Sequence, residues 1–215
     1  SVTSLSMNPP PAMIRSDTSS STSSSSVSSQ LRYANASSSA VTPNVMTIAV
    51  NSSYTKLAHP DAIYGCDYLW WKHNHMAAKK YVANDRHRLW TQDLAAAEQF
   101  QLSHIRWEAK DGLGKRGLRV NGNSGAGAIN LAYHFGARRI LLVGMDMKPG
   151  PNGEKHWHPD HPKPLVQGQQ FEEWRKKMGV LAKDLKDEGV EVINCTPGSA
   201  LTCFQMGDLE QELAK

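Results

Sequence analysis

The sequence predicts an α/β fold in which a parallel sheet is flanked by helices, and three observations predict it. Short apolar, β-branched runs at residues 45–50, 140–143 and 190–193 have the length and continuous hydrophobicity of strands buried on both faces. Helical periodicity appears between them: Phe171, Trp174, Met178, Leu181 and Leu185 recur at three- and four-residue steps. Glycines punctuate the changes of pattern, with Gly136 and Gly189 placed to end helices in the left-handed conformation. Strands alternating with helices imply parallel pairing through crossover connections.

Taken in order, residues 1–44 read differently from the rest. Pro9, Pro10 and Pro11 oppose a helix, and residues 16–39 are dominated by serine. Such a segment has too little apolar surface to offset the entropy of ordering. It is expected to be disordered and removable by protease up to about Val45, leaving residues 45–215 as one domain. A chain that begins at Ser1 is expected to be processed or a piece of a longer one.

Residues 45–50 form the first expected strand, ending at Asn51. Residues 62–66 form the second, ending at Asp67. Residues 68–81 are aromatic and basic, with a helix expected in their later part. Strands are expected at 87–91 and 104–107, and a glycine-rich loop at 110–117. The turn from Asn121 to Gly127 leads into an apolar helix, with Ser124 as its cap and Gly136 as its stop. The run at 140–143 is the next strand. A long polar loop follows, then the amphipathic helix from Phe171 and the strand at 190–193.

Composition excludes several classes. No apolar run reaches the length of a membrane span, and no basic-then-apolar leader opens the chain. Three cysteines at no metal-like spacing suit a reducing, cytoplasmic compartment, and no resident metal is expected. The net charge of +4 is carried by scattered Lys and Arg. That pattern predicts no nucleic-acid partner, and it suits an anionic small molecule.

Ligands of open parallel sheets lie beyond the carboxyl ends of the strands, which selects Asn51, Asp67, Asp146 and Asn194. Each could hold a ligand, although an Asn or Asp at a strand end more often just satisfies a turn. The turn from Asn121 to Gly127 offers free N–H groups at a helix start, which attract anions. Its glycines fit either a close phosphate or close packing of helix on sheet, and their order is neither the dinucleotide fingerprint nor a P-loop. The polar loop gathers His156, His158, Asp160 and His161, as general base or ligand contacts, as a metal-ligand set of His156, His158 and Asp160, or simply in solvent. His73 and His75 beside Trp70 and Trp71 read as packing.

The segments IAVNSSY, DAIYGCDYLWW, GNSGAGAINLAYHFGARRILLVGMDM, HWHPDHP and GVEVINCTPGSALTCF together resemble a family of phage and prophage proteins called norphogenetic proteins. That family is distantly similar to bacterial α-2,3-sialyltransferases and to motility-accessory and 6-hydroxymethylpterin diphosphokinase-like proteins. The resemblance spans about Val45 to Phe204 and implies a Rossmann-like fold. It implies that Asn51, Asn123, Ser124 and Gly125 hold a nucleotide, that Asp146 closes the central strand end, and that Asn194 and Ser199 close the last turn. It also implies that His161 is the catalytic base, with His158 beside it.

Two departures stand out. Met147, Lys148 and Lys155 occupy the region where those enzymes place tyrosines that stabilise the departing phosphate. The family's first strand and its Gly-x-Gly-Pro-Ser loop are expected to be missing, with residues 1–3 as the tail of that loop. The resemblance thus implies a sugar-nucleotide-dependent, glycosyltransferase-like protein with no tightly bound cofactor. Its alternatives are a diphosphokinase-like transferase using ATP and Mg²⁺, with Asp67 and Asp146 facing the metal, and a non-catalytic nucleotide-binding phage protein. Its expected partner is a nucleotide or nucleotide sugar, a homo-oligomer is allowed, and the expected location is the cytoplasm, that of the host if phage-encoded.

Overall fold

The computed structural model describes residues 12–15, 45–57, 59–150 and 170–215. Among the described residues, eight strands form one all-parallel sheet: β1 (Ala12–Arg15), β2 (Met46–Val50), β3 (Ala62–Tyr64), β4 (Leu89–Thr91), β5 (Ser103–His104), β6 (Arg139–Val143), β7 (Glu191–Asn194) and β8 (Gln205–Met206). Their spatial order is β5-β4-β3-β2-β1-β6-β7-β8. The helices are α1 (Tyr68–Tyr81), α2 (Leu94–Phe100), α3 (Ser124–His134), α4 (Phe171–Asp187) and α5 (Leu209–Leu213).

Alternating side chains of the strands reach opposite faces of the sheet, so the contacts reveal the layers. Ile48, Val50, Tyr64, Ile140, Leu142 and Val192 join a cluster with α3 and α4. Ala49, Ile63 and Leu89 face the other way, onto Trp70, Trp71 and Ala78 of α1 and Phe100 of α2. Leu141, Val143 and Ile193 turn to the same second face, where Leu209 and Leu213 of α5 cover them. The result is a Rossmann-like sandwich of three layers, with a sheet buried on both sides.

One strand corrects the sequence reading. The first strand, expected to be absent, is β1, and it lies at the centre of the sheet. Ala12 to Arg15 pair in parallel with Met46 to Ala49 of β2 and with Ile140 to Val143 of β6. Four residues between prolines and serines show no periodicity, so only their two partners reveal them. Trimming to Val45 would therefore remove the strand that joins both halves of the sheet.

Other boundaries shift for local reasons. Residues 86–88 make a 3-10 turn, so β4 begins at Leu89 rather than at residue 87. The strand expected at 104–107 is only Ser103–His104, after which Trp107 makes a single bridge to Leu118. β7 runs one residue later than expected, to Asn194. Helix α1 is helical from its start, because the Asp67 side chain accepts from the Trp70 N–H and fixes the first turn. Gly136 (φ 87°) and Gly189 (φ 71°) stop α3 and α4 as expected.

Candidate functional site at the carboxyl edge

β2 and β6 lie on opposite sides of β1, so the direction of strand succession reverses there and a crevice opens at the carboxyl ends. Helix α3 packs on β1 and β2 and starts at that edge. Its cap is Asn123, whose Oδ1 accepts from the Ala126 N–H at 2.9 Å. Ser124, expected to be the cap, is instead the first helical residue. Its hydroxyl is thereby released from capping and turned to other partners.

Those partners come from two further strands. Asn51, directly after β2, donates from Nδ2 to Ser124 Oγ at 3.3 Å. Cys66, just beyond β3, places its Sγ 3.0 Å from Ser124 Oγ. The thiol also donates to Asp67 Oδ2 at 3.4 Å, while Asp67 Oδ1 caps α1. Gln92 fixes this corner from just beyond β4, donating to the Cys66 carbonyl at 2.6 Å and accepting the Tyr64 hydroxyl. Burial, and then the neighbouring Asp67, pushes the Cys66 thiol up to about 12. The Tyr64 phenol is raised as well, first by burial and then by Cys66 and Asp67.

Two signs of a functional edge accompany this cluster. Asn51 holds a left-handed backbone (φ 49°), which asparagine tolerates better than most residues. Asn51 Oδ1 and Asn123 Nδ2 are buried without a hydrogen-bond partner among the described residues. An unmet buried polar atom costs about 1–3 kcal/mol. An acceptor and a donor left unmet beside one hydroxyl suit a polar ligand.

The other half of the edge is formed by the ends of β6 and β7. Asp146 is buried, and its carbonyl accepts from the Ala200 N–H at 2.8 Å. Ser199 Oγ donates to the Met145 carbonyl at 2.5 Å, and Thr196 Oγ1 accepts from the Met145 N–H at 2.9 Å. Met147 is buried with φ 51°, and Arg175 of α4 donates to its carbonyl at 2.8 Å. Asn194 is fully buried and spends its amide inside the turn, on the Thr196 N–H and the Leu201 carbonyl. Ser199 and Asn194 therefore brace the edge. Gly125 joins the two halves: a Cβ there would lie 2.6 Å from Met145 Cε.

Behind the site, a loop at residues 106–119 is strapped to α3 and the turn before it by buried side chains. Asn121 accepts from the Gly112 N–H and donates to the carbonyls of Gly112 and Arg119. Asn130, fully buried in α3, accepts from the Gly114 N–H and donates to the carbonyls of Arg119 and Ala126. An asparagine inside an apolar helical run was the sequence signal for this role, and it was missed. A cavity of about 350 Å³ beside the strap is lined by Glu108, Lys115, Arg119 and Glu188. It lies at the amino end of β7, away from the crevice, and these four side chains form the Lys115–Glu188 and Arg119–Glu108 ion pairs.

The structure brings Asn51, Asn123, Ser124 and Gly125 together, with Asp146 and Ser199 on the adjoining side. It adds Cys66, which the sequence reading counted only among three cysteines at no metal-like spacing. His158 and His161 lie outside the described residues, as do His156 and Asp160. Among the described residues no group of three His, Cys, Asp or Glu could hold a metal ion, and no helix is long and apolar enough to cross a membrane. No family model, no curated protein and no solved structure matches the chain.

Proposed function

We propose that this carboxyl edge binds a nucleotide, and that the chain uses a sugar nucleotide in a glycosyltransferase-like reaction. The observation that carries the reading is the meeting of Asn51 and Ser124 at the start of α3, beside the reversal in strand order. The helix start supplies N–H groups for a phosphate, and the unmet Asn51 and Asn123 amide atoms suit the polar groups of a nucleoside. His161 is the proposed base: it takes the proton of an acceptor hydroxyl, whose oxygen bonds to the anomeric carbon as the bond to the nucleotide breaks.

The diphosphokinase-like reading draws on Asp146 at the end of β6. It is weakened at Asp67, whose two oxygens are engaged by the Trp70 N–H and the Cys66 thiol. A thermal-shift screen separates the readings. Cytidine or uridine nucleotides should raise the melting temperature in a chelating buffer. Stabilisation by ATP only with Mg²⁺ would transfer the assignment to the diphosphokinase-like chemistry. Stabilisation by none of them would end both.

A further inference from the structure

Ser124 sits where four strand and helix ends converge, and the hydrogens around it can be placed by elimination. A carboxylate only accepts, so the Cys66 sulfur, 3.4 Å from Asp67 Oδ2, contributes its single S–H there. With that proton committed, the sulfur can meet Ser124 Oγ at 3.0 Å only as an acceptor. The Ser124 hydroxyl therefore donates inward, to the thiol. Asn51 Nδ2 occupies one of the two lone pairs of Ser124 Oγ, at 3.3 Å. One acceptor lone pair is left.

We propose that Cys66 is a positioning residue: it draws the Ser124 proton inward, so that Ser124 offers the site an acceptor and takes a hydroxyl or amino group of the ligand there, not a phosphate oxygen. The proposal rests on the nucleotide reading above and sharpens it. Phosphate would be left to the N–H groups of the α3 start, and Ser124 would read a sugar hydroxyl or a base amine.

The surroundings hold the thiol in this role. The Gln92 amide fixes the Cys66 carbonyl, and the Trp71 indole N–H fixes the Gly65 carbonyl at 2.9 Å. A side chain at Gly65 would strike the Trp70 ring at 2.5 Å, so the approach of the backbone to α1 is tight. The raised thiol keeps its proton across the neutral range, as a donor must. The unmet Asn51 Oδ1 and Asn123 Nδ2 lie on the two residues flanking this hydroxyl, and they too are read best by a nucleoside.

Two measurements on the full chain test this. The first needs no ligand. The infrared S–H stretch of Cys66, assigned by its loss in Cys66→Ala, should move to higher frequency in Asp67→Asn, because an amide accepts more weakly than a carboxylate. A band unmoved by Asp67→Asn would mean that the thiol does not donate to the carboxylate, and the proposal would fall whatever the ligand is.

The second is calorimetric binding of cytidine monophosphate, its 2′-deoxy and 3′-deoxy forms and cytosine arabinoside monophosphate, with inorganic phosphate as the probe for the opposite preference. The native chain should lose about tenfold in affinity for at least one of the hydroxyl-altered nucleotides. Cys66→Ala should reduce that discrimination to below threefold and improve the binding of inorganic phosphate, while Cys66→Ser should restore the native pattern. Equal discrimination in Cys66→Ala and the native chain would overturn the proposal. Failure of every nucleotide to bind would refute the nucleotide reading itself, and the infrared band would still decide the direction of the proton.

Discussion

At the scale of single residues, the thiol of Cys66 makes a pH dependence visible. A thiol raised from 9.0 to about 12 stabilises the fold fully below pH 9, where the unfolded thiol is also protonated. As pH rises towards 12 the unfolded chain loses that proton and the folded chain does not, so stability declines through this window. Urea titrations at pH 7, 9, 10 and 11 should show the native chain losing more stability with pH than Cys66→Ala does. Parallel curves would show that burial does not hold the proton. Asn51→Gly should keep or slightly raise stability by relieving the left-handed backbone, yet weaken nucleotide binding by tenfold or more, read by calorimetry. His161→Ala should leave nucleotide affinity nearly unchanged and lower turnover by about a hundredfold. Asn51, Asn123 and Ser124 were legible because a strand end or a helix start announces itself in sequence. Cys66 was not, since its partner Ser124 is 58 residues away and only the fold brings them together.

At the scale of elements, helix α3 shows why two of its glycines are there. A Cβ at Gly127 would collide with the Tyr64 ring, whose hydroxyl is bound to Gln92 and cannot swing aside. Gly127→Ala should cost about 1–3 kcal/mol by overpacking, despite the better helix propensity of alanine. Gly179 in α4 is the contrast: nothing lies within 4 Å of its Cβ position, so Gly179→Ala should stabilise by up to about 1 kcal/mol. Urea midpoints of the two variants should move in opposite directions; two shifts of the same sign would refute the packing argument. Of the two reasons offered in sequence for these glycines, packing is met at both Gly125 and Gly127, where a Cβ would meet Met145 and Tyr64. Helices α3 and α4 could be read from their apolar spacing. Helix α2 is too short for a period, but Asp93 ahead of it accepts from the Ala96 N–H, as Asp67, Asn123 and Asp208 accept ahead of α1, α3 and α5. An Asp or Asn before four of these five helices was a signal in plain view; α4 follows Gln170 and has no side-chain cap.

For the whole molecule, the layered fold was legible because a sheet buried on both faces writes continuous apolar runs into the chain. Its centre was not, because β1 has four residues and draws its identity from the strands beside it. Removing residues 1–15 should expose the backbone edges of β2 and β6 along Met46 to Ala49 and Ile140 to Val143. Circular dichroism and size-exclusion chromatography should then report lost cooperativity or aggregation. A fragment beginning at Val45 that melts like the full chain would show that β1 is dispensable.

The position of β1 has one more consequence. A strand that precedes the other described strands, yet pairs with β6 on its second side, cannot complete its pairing until about two-thirds of the 215 residues have been made. Until then β1 has one unpaired edge, and in a chain that lacks β1 the slot between β2 and β6 has main-chain donors and acceptors on both walls. A slot of that kind accepts a strand from any source of matching register. A synthetic peptide carrying Ala12 to Arg15 with its flanking residues should therefore refold the truncated chain in trans, and two intact chains at high concentration could exchange these strands to form a swapped dimer.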